Sequence, residues 1–200
     1  MIETLVIRLV TDDPALASGA GQAASQAEWA VVDPTGACVL APGTGPLADA
    51  AALCAGRRTV VLVPAVRVLR TRVDVPVKGT SRIAQALPFA LEDLLAEDVE
   101  ELHFVAGSRF ADEQVAVAVV RREWMVAWQA QLAAAGIAPQ ALFADSDGVL
   151  DIAGNSTLVL ERQHALLRDP GGDPVVSELD ALDGLLELWL AQPRPVGADG

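Results

Sequence analysis

The sequence predicts an α/β protein of mixed sheets, in which a small β-α-β-β unit is set into a larger framework that opens β-β-β-α-β. Three observations lead there. The apolar pattern switches repeatedly between a period of two and a period of three to four, so strands and helices share the chain. Thr59–Val63 is continuously apolar, as a strand buried on both faces is, whereas Val66–Val73, immediately after it, alternates with arginine. Half of the 200 residues are apolar and a fifth are charged, which excludes a disordered polar chain and permits one core or two or three small ones.

Leu5–Val10 reads as the first strand, followed by a stretch rich in Gly, Ala and Ser. Glu28–Val32 and Ala37–Leu40 read as a hairpin about Asp33-Pro34-Thr35-Gly36, where proline fixes φ and glycine relieves the reversal. Pro46 opens a short helix that ends near Gly56, proline early and glycine late. In the next unit, Val66–Val73 is a half-exposed strand with Arg67, Arg70 and Arg72 on its wet face. Thr80–Ala96 is amphipathic, with Ile83, Leu87, Leu91, Leu94 and Leu95 on one stripe and a kink or break expected at Pro88. Leu102–Val105 and Gln114–Val120 pair. Glu123–Ala135 is a helix anchored by Trp124, Trp128 and Leu132 and stopped by Gly136. Gln140–Phe143 is a short strand, and Thr157–Glu161 with His164–Arg168 is a hairpin. Ser177 is expected to cap a last helix running through Leu190, where Leu185, Leu186 and Trp189 pack. The final PRPVGADG should be disordered.

Net charge is −13, which argues against nucleic acid as a partner, because phosphate binding needs clustered cations. The charge is uneven. Arg57, Arg58, Arg67, Arg70, Arg72, Lys78 and Arg82 make up seven of the fourteen basic residues, opposed within that stretch only by Asp74. Glu92, Asp93, Glu97, Asp98, Glu100 and Glu101 then follow with no base among them. Blocks of this kind either are solvated faces or steer charged partners. Acids at the end of the helix would oppose its macrodipole unless Arg82 or Arg109 neutralises them. No apolar run approaches the roughly 20 residues that span a bilayer, and the N-terminus lacks the basic region of a signal peptide. Cys38 and Cys54 read as buried free thiols of a reducing compartment.

The residues supply no catalytic set. His103 and His164 are the only histidines, and neither has a second ligand at metal spacing. There is no tyrosine, one lysine (Lys78), and no nucleophile elbow, HExxH or Walker loop. Catalytic, metal and cofactor-binding residues are therefore none. Asp151-Ile-Ala-Gly154-Asn155-Ser156-Thr157 resembles a phosphate loop of actin-like ATPases, but the matching N-terminal segment Val10-Thr11-Asp12-Asp13-Pro14 has no glycine and loses an amide at its proline. Asp151–Thr157 reads as a turn between strands.

Leu87-Pro88-Phe89-Ala90-Leu91-Glu92-Asp93-Leu94-Leu95, running on to Phe104, resembles the signature of the GspL cytoplasmic domains of type II secretion. In those domains a basic strand leads to "QALPF", an acidic helix end and a strand. Leu62-Val63-Pro64-Ala65, Val117–Trp128, Asp147-Gly148-Val149-Leu150 and Ala165–Arg168 continue the likeness, and a weaker one to the pilus protein PilM places the unit on an actin-like scaffold. The resemblance implies an actin-like fold of RNase-H-like halves. The first half is residues 1–65, continued by 122–146. The inserted β-α-β-β domain is 66–121, and the start of the second half is 147–200. It implies a non-enzymatic docking domain at the cytoplasmic face of the inner membrane that recruits the secretion ATPase GspE through that protein's N-terminal domain. It also implies assembly with GspM, self-association as an open option, and a transmembrane helix beyond residue 200. On this reading Arg67, Arg70, Arg72, Glu97, Asp98, Glu100 and Glu101 bind the partner. The alternatives are an active actin-like ATPase, with Asp151 and Thr157 at phosphate, and a PilM-like pilus assembly protein.

Overall fold

The computed structural model describes residues 2–10, 26–110 and 112–191. The segment Thr11–Pro14 and the final PRPVGADG lie outside the described residues. Contacts divide the chain into two units, residues 1–142 and 143–200.

The first unit begins with β1 (Thr4–Leu9), β2 (Gln26–Val32), β3 (Gly43–Pro46), α1 (Leu47–Ala51) and β4 (Arg58–Val63). It continues with β5 (Val68–Asp74), α2 (Thr80–Leu91), β6 (Leu102–Arg109), β7 (Gln114–Arg121) and α3 (Arg122–Ala134), and β8 (Ala141–Ala144) lies at its end. The first sheet runs β3-β2-β1-β4-β8. It is mixed, since β1 is antiparallel to β2 and parallel to β4. Strand alternation puts Leu5, Ile7 and Leu9 on one face of β1, and all three are buried with Val31, Val61 and Val63. Trp124, Trp128 and Leu132, four apart on α3, close that core. Gly136 takes a φ of 74° just past the helix, where a left-handed residue is required.

The chain from 66 to 121 builds a second sheet, β5-β7-β6, with a core of its own. Val115, Val117 and Val119 face α2, whose Leu87 and Leu91 are completely buried. Pro88 does not break the helix. It continues to Leu91 and then tightens into a 3-10 turn at Glu92–Leu94, because the two buried leucines on either side of the proline hold that turn to the sheet. The change of pitch takes Leu94 off the expected apolar stripe and leaves it 71% exposed, whereas Leu95 still packs on the core.

Three further expectations are corrected. Ala37–Leu40 is not the second strand of a hairpin. It makes a single bridge, Val32 to Cys38, and Gly43–Pro46 pairs with β2 instead. Asp33 Oδ1 accepts the Thr35 amide at 2.8 Å and the Ala37 amide at 3.0 Å, turning the chain sharply away from the strand. β3 returns where it does because Gly43 opposes Trp29 in the register, and its missing side chain admits the indole. Cys38 is consequently exposed, while Cys54 is half-buried against the core; both are free thiols. Arg67 does not belong to the alternating strand but to a 3-10 turn, Ala65–Arg67, that precedes it.

The second unit contains β9 (Thr157–Leu160), β10 (His164–Arg168), β11 (Val175–Glu178) and α4 (Leu182–Ala191), with strand order β11-β10-β9. The β9–β10 hairpin is as expected. Ser177 is not a helix cap: it lies within β11, paired with Ala165. The apolar run Val175-Val176 pairs with Leu167 and Leu166, so strand pairing takes these residues and the helix starts only at Leu182.

Gly43→Val tests the packing of β3. A side chain there would collide with the Trp29 indole, and overpacking of this kind costs about 1–3 kcal/mol. A urea midpoint unchanged from the parent would show that β3 does not hold Trp29.

Candidate docking surface

The geometry of greatest interest surrounds the two chain crossings that join residues 66–121 to the first sheet. Val68 pairs with Val120, so the start and the end of the segment lie side by side. At the start, the Arg67 guanidinium lies over the Trp124 ring, 4.6 Å from its centroid, and Trp124 in turn packs tilted against Trp128 at 6.1 Å. At the end, Arg121 holds Glu97 with two bonds, Nε to Oε2 at 2.7 Å and Nη2 to Oε1 at 2.9 Å, and reaches Glu123 at 3.3 Å. The hydrogen bonds that Arg121 donates to Glu97, and after them the one to Glu123, raise the Arg121 pKa above its ordinary value. Arg122 Nε donates to the Glu100 carbonyl at 2.8 Å.

Between these clamps lies a groove of about 750 Å³. Leu69, Leu95 and Val120 contribute to its apolar floor, and Arg67, Glu97 and Glu123 bring charge to its lining. Leu94, exposed as described, also lines it.

The expected site residues fall differently from their sequence order. Arg70 and Arg72, two apart on β5, share the sheet face opposite α2, beside Ala118 and Ala116. Arg72 is exposed and stacks on Phe110 at 3.8 Å, while Arg70 is half-buried. Arg67 stands apart from both, on Trp124. Only part of the acid block lies at the end of α2, which limits the macrodipole argument to Glu92 and Asp93: Glu92 is the C-cap of α2 and Asp93 follows it in the 3-10 turn. Glu100 and Glu101 lie in a second 3-10 turn, Val99–Glu101. Asp98 caps that second turn, accepting the Glu100 amide at 2.9 Å, a position at which a carboxylate is favoured.

Arg109, expected to neutralise the acids, instead donates to the Val75 and Val77 carbonyls and pairs with Glu113 at 2.9 Å. Arg121 takes the neutralising role at Glu97 alone. Sequence reasoning missed Arg121 and Arg122; the signal was an arginine pair at the last residue of a strand and the first of a helix, where side chains reach back over the preceding turn.

In the second unit, the segment Asp151–Thr157 is filled by its own neighbours. Asp151 Oδ1 accepts the Gly171 amide at 3.0 Å and Oδ2 lies 3.4 Å from Arg168. Thr157 Oγ1 donates to the Leu150 carbonyl at 2.9 Å. His103 lies in β6 and His164 in β10, and among the described residues no group of three or more His, Cys, Asp or Glu could hold a metal. Among the described residues no helix is long and apolar enough to cross a membrane.

A family model described as type II secretion system (T2SS), protein L, matches residues 17–196. The chain belongs to the type II secretion system protein L family. A curated protein L from Pseudomonas aeruginosa is 37% identical over 212 residues, covering 92% of this chain and 53% of that protein. The chain spans about half the length of the curated protein L relatives it matches. Among solved structures, the cytoplasmic domain of EpsL, an inner membrane component of the type II secretion system of Vibrio cholerae, is similar with a TM-score of 0.72 and 23% identity. That match covers 98% of this chain and 78% of the EpsL chain. The PilM-PilN type IV pilus biogenesis complex is similar with a TM-score of 0.55 and 18% identity, over 96% of this chain and 67% of that one. This chain therefore has the mixed α/β, actin-like fold class that its sequence implied.

The clamp at Trp124 yields a stability test. Trp124→Ala removes a buried indole together with the ring beneath Arg67, and is expected to cost about 3–5 kcal/mol. Arg67→Ala removes the cation but leaves the buried indole in place, and the lost cation–π contact should cost about 0.5–1 kcal/mol. Equal losses in chemical denaturation would show that the cation, not the packing, holds the junction.

Proposed function

We propose that this chain is the non-catalytic docking part of an inner-membrane type II secretion component, and that it recruits the secretion ATPase, GspE, to the cytoplasmic face of that membrane. The observation that carries the reading is the layout of charge on residues 66–121. A basic sheet face with Arg70 and Arg72, and acids exposed on short turns, share one small unit with its own core. Charged faces of both signs select a partner and speed its arrival more than they stabilise a fold. Arg67, Arg70, Arg72, Glu97, Asp98, Glu100 and Glu101 are the proposed contacts to the N-terminal domain of the ATPase. Arg67 and Glu97 take part through the rim of the groove, since each also holds the junction together. We further propose that 66–121 is an inserted domain between parts of an RNase-H-like half, 1–65 and 122–146, with the second half beginning at 147. Assembly with GspM, self-association, and a membrane passage beyond residue 200 complete the proposal. PilM, captured with PilN, supplies a case of this fold engaged with another protein.

The absence of catalysis is supported by the contacts of Asp151. A carboxylate that already accepts an amide and faces an arginine is poorly placed to orient a hydrated metal. Mg-ATP should therefore leave the melting temperature unchanged. A site filled at a hundred times its dissociation constant would add roughly 2.7 kcal/mol, so a clear rise in melting temperature would favour an active ATPase.

Docking is tested by reversing Arg70 and Arg72 to glutamate and, separately, by neutralising Asp98, Glu100 and Glu101. Changes at the exposed Glu100 and Glu101 alter stability by only about ±0.5 kcal/mol, Asp98→Asn keeps the cap on its turn, and because Arg70 is half-buried the arginine variant is first shown to keep the parent's urea midpoint. Association with the ATPase N-terminal domain should slow in both variants and should weaken with salt, as the screening length falls from about 10 Å at 0.1 M to about 3 Å at 1 M. Unaltered, salt-insensitive association would place the interface elsewhere.

A further inference from the structure

The sheet built by residues 66–121 has two edges, and they are not alike. β6 carries an irregularity, where its register with β7 shifts between Ala106 and Arg109. A bulge of this kind turns an edge away from further pairing. β5 pairs with β7 without a break from Val68 to Asp74, and among the described residues no strand lies on its other side. A regular edge of seven residues is a template on which an extended chain can add as a further strand.

The side chains of β5 limit what that chain can be. Alternation puts Arg70, Arg72 and Asp74 on the sheet face away from α2, opposite Ala118, Ala116 and Gln114. The two arginines are spaced about 6.6 Å apart along the strand, and stacking on Phe110 fixes the plane of Arg72. On the other face Leu69, opposite Val119, is 49% exposed and lines the same groove as Leu94 and Leu95. A strand added about 4.8 Å outward would set alternate side chains beside the arginines and the rest beside Leu69, at the groove. A second copy of β5 does not meet these demands. Paired antiparallel about Thr71, it would bring Arg70 of each copy against Arg72 of the other, and like charges directly opposite are destabilising.

We propose that the outer edge of β5 receives an extended segment of a partner protein in which acidic and apolar residues alternate, with acids opposite Arg70 and Arg72 and an apolar residue opposite Leu69. This deepens the reading above, where Arg70 and Arg72 are already contacts, and rests on it for the identity of the partner. The ATPase domain would then be held through a shared sheet and not through surface charge alone. Main-chain hydrogen bonds supply the affinity, while the arginines and the groove select the sequence. An acid opposite each arginine also removes the charge that keeps this edge from pairing with its own kind.

The test adds two probes to the 200-residue chain and follows its amides by NMR and hydrogen exchange. One probe is the capped peptide Lys-Val-Glu-Thr-Glu-Leu-Thr, written for antiparallel addition opposite Asp74 back to Val68. The other is the N-terminal domain of the ATPase. The peptide should shift the amide signals of Val68–Asp74 and slow their exchange. Its charge-exchanged form, Glu-Val-Lys-Thr-Lys-Leu-Thr, should bind about fivefold more weakly or worse, since two cross-strand charge pairs become repulsive. Arg72→Glu, at an exposed position, should erase that preference, and Arg72→Glu with Arg70→Glu should reverse it. N-methylation of alternate amides keeps every charge but breaks one side of the ladder, so one of its two possible patterns should abolish binding. The ATPase domain should protect the same amides and compete with the peptide. Peptide binding that neither methylation pattern alters overturns strand addition. So does a failure of both probes to protect Val68–Asp74, and if the ATPase domain still binds, docking stands without the strand. A peptide that binds while the ATPase domain does not keeps the edge and overturns the docking reading. If ultracentrifugation shows a dimer of the chain in which Val68–Asp74 is protected, the occupant is a second copy and the proposal fails.

Discussion

The antiparallel pairing of β5 with β7 is the constraint on which the first unit depends. It sets Val68 opposite Val120 and so brings both ends of a long segment to one place beside the first sheet. Without that closure, residues 66–121 would have to satisfy two separate attachments, and α3 could not start where the core needs Trp124. Trp124 then serves two sides, buried against Trp128 below and covered by Arg67 above. A planar guanidinium suits this role, since it stacks on a ring and stays charged at every physiological pH.

That arrangement leaves the segment free to carry a surface that the rest of the fold does not use. Its core is largely its own, with Val68 and Val120 packing instead in the core of the first sheet where the segment joins it. The acids of 92–101 take different local positions. Glu92 caps the end of α2 and opposes its macrodipole, whereas Asp98 caps the second turn and is favoured there. Glu97 is drawn into the structure by two hydrogen bonds from Arg121. The surface belongs to a member of the type II secretion system protein L family.

The second unit shows how a motif can keep its sequence while its chemistry is spent on structure. Asp151, Gly154 and Thr157 have the spacing of a phosphate loop, yet Asp151 ties the loop to Gly171 and Arg168. Nearby, Asp169 accepts both the Ser156 hydroxyl at 2.6 Å and the Trp189 indole at 2.8 Å.

The sequence by itself determined the class of the fold and most of its elements. Periodicity is a local property, and the four-residue spacing of Trp124, Trp128 and Leu132 or the alternation of Val115, Val117 and Val119 can be read without a partner in view. It also carried the family, through a run from Leu87 to Phe104 whose order of apolar and acidic residues is specific. Where the reading failed, the deciding force was not local. Gly43–Pro46 became β3 because Trp29, fourteen or more positions earlier, needed a neighbour without a side chain. Val175–Glu178 became a strand because β10 offered it a ladder. The site divided in the same way. Charge blocks were visible in the chain, but Arg67 stacks on a ring 57 positions away, Glu97 is held by an arginine 24 positions away, and Arg109 reaches carbonyls 32 and 34 positions away. The exposure of Leu94 was set by a change of helical pitch after Leu91, which the packing of two leucines against a sheet decided.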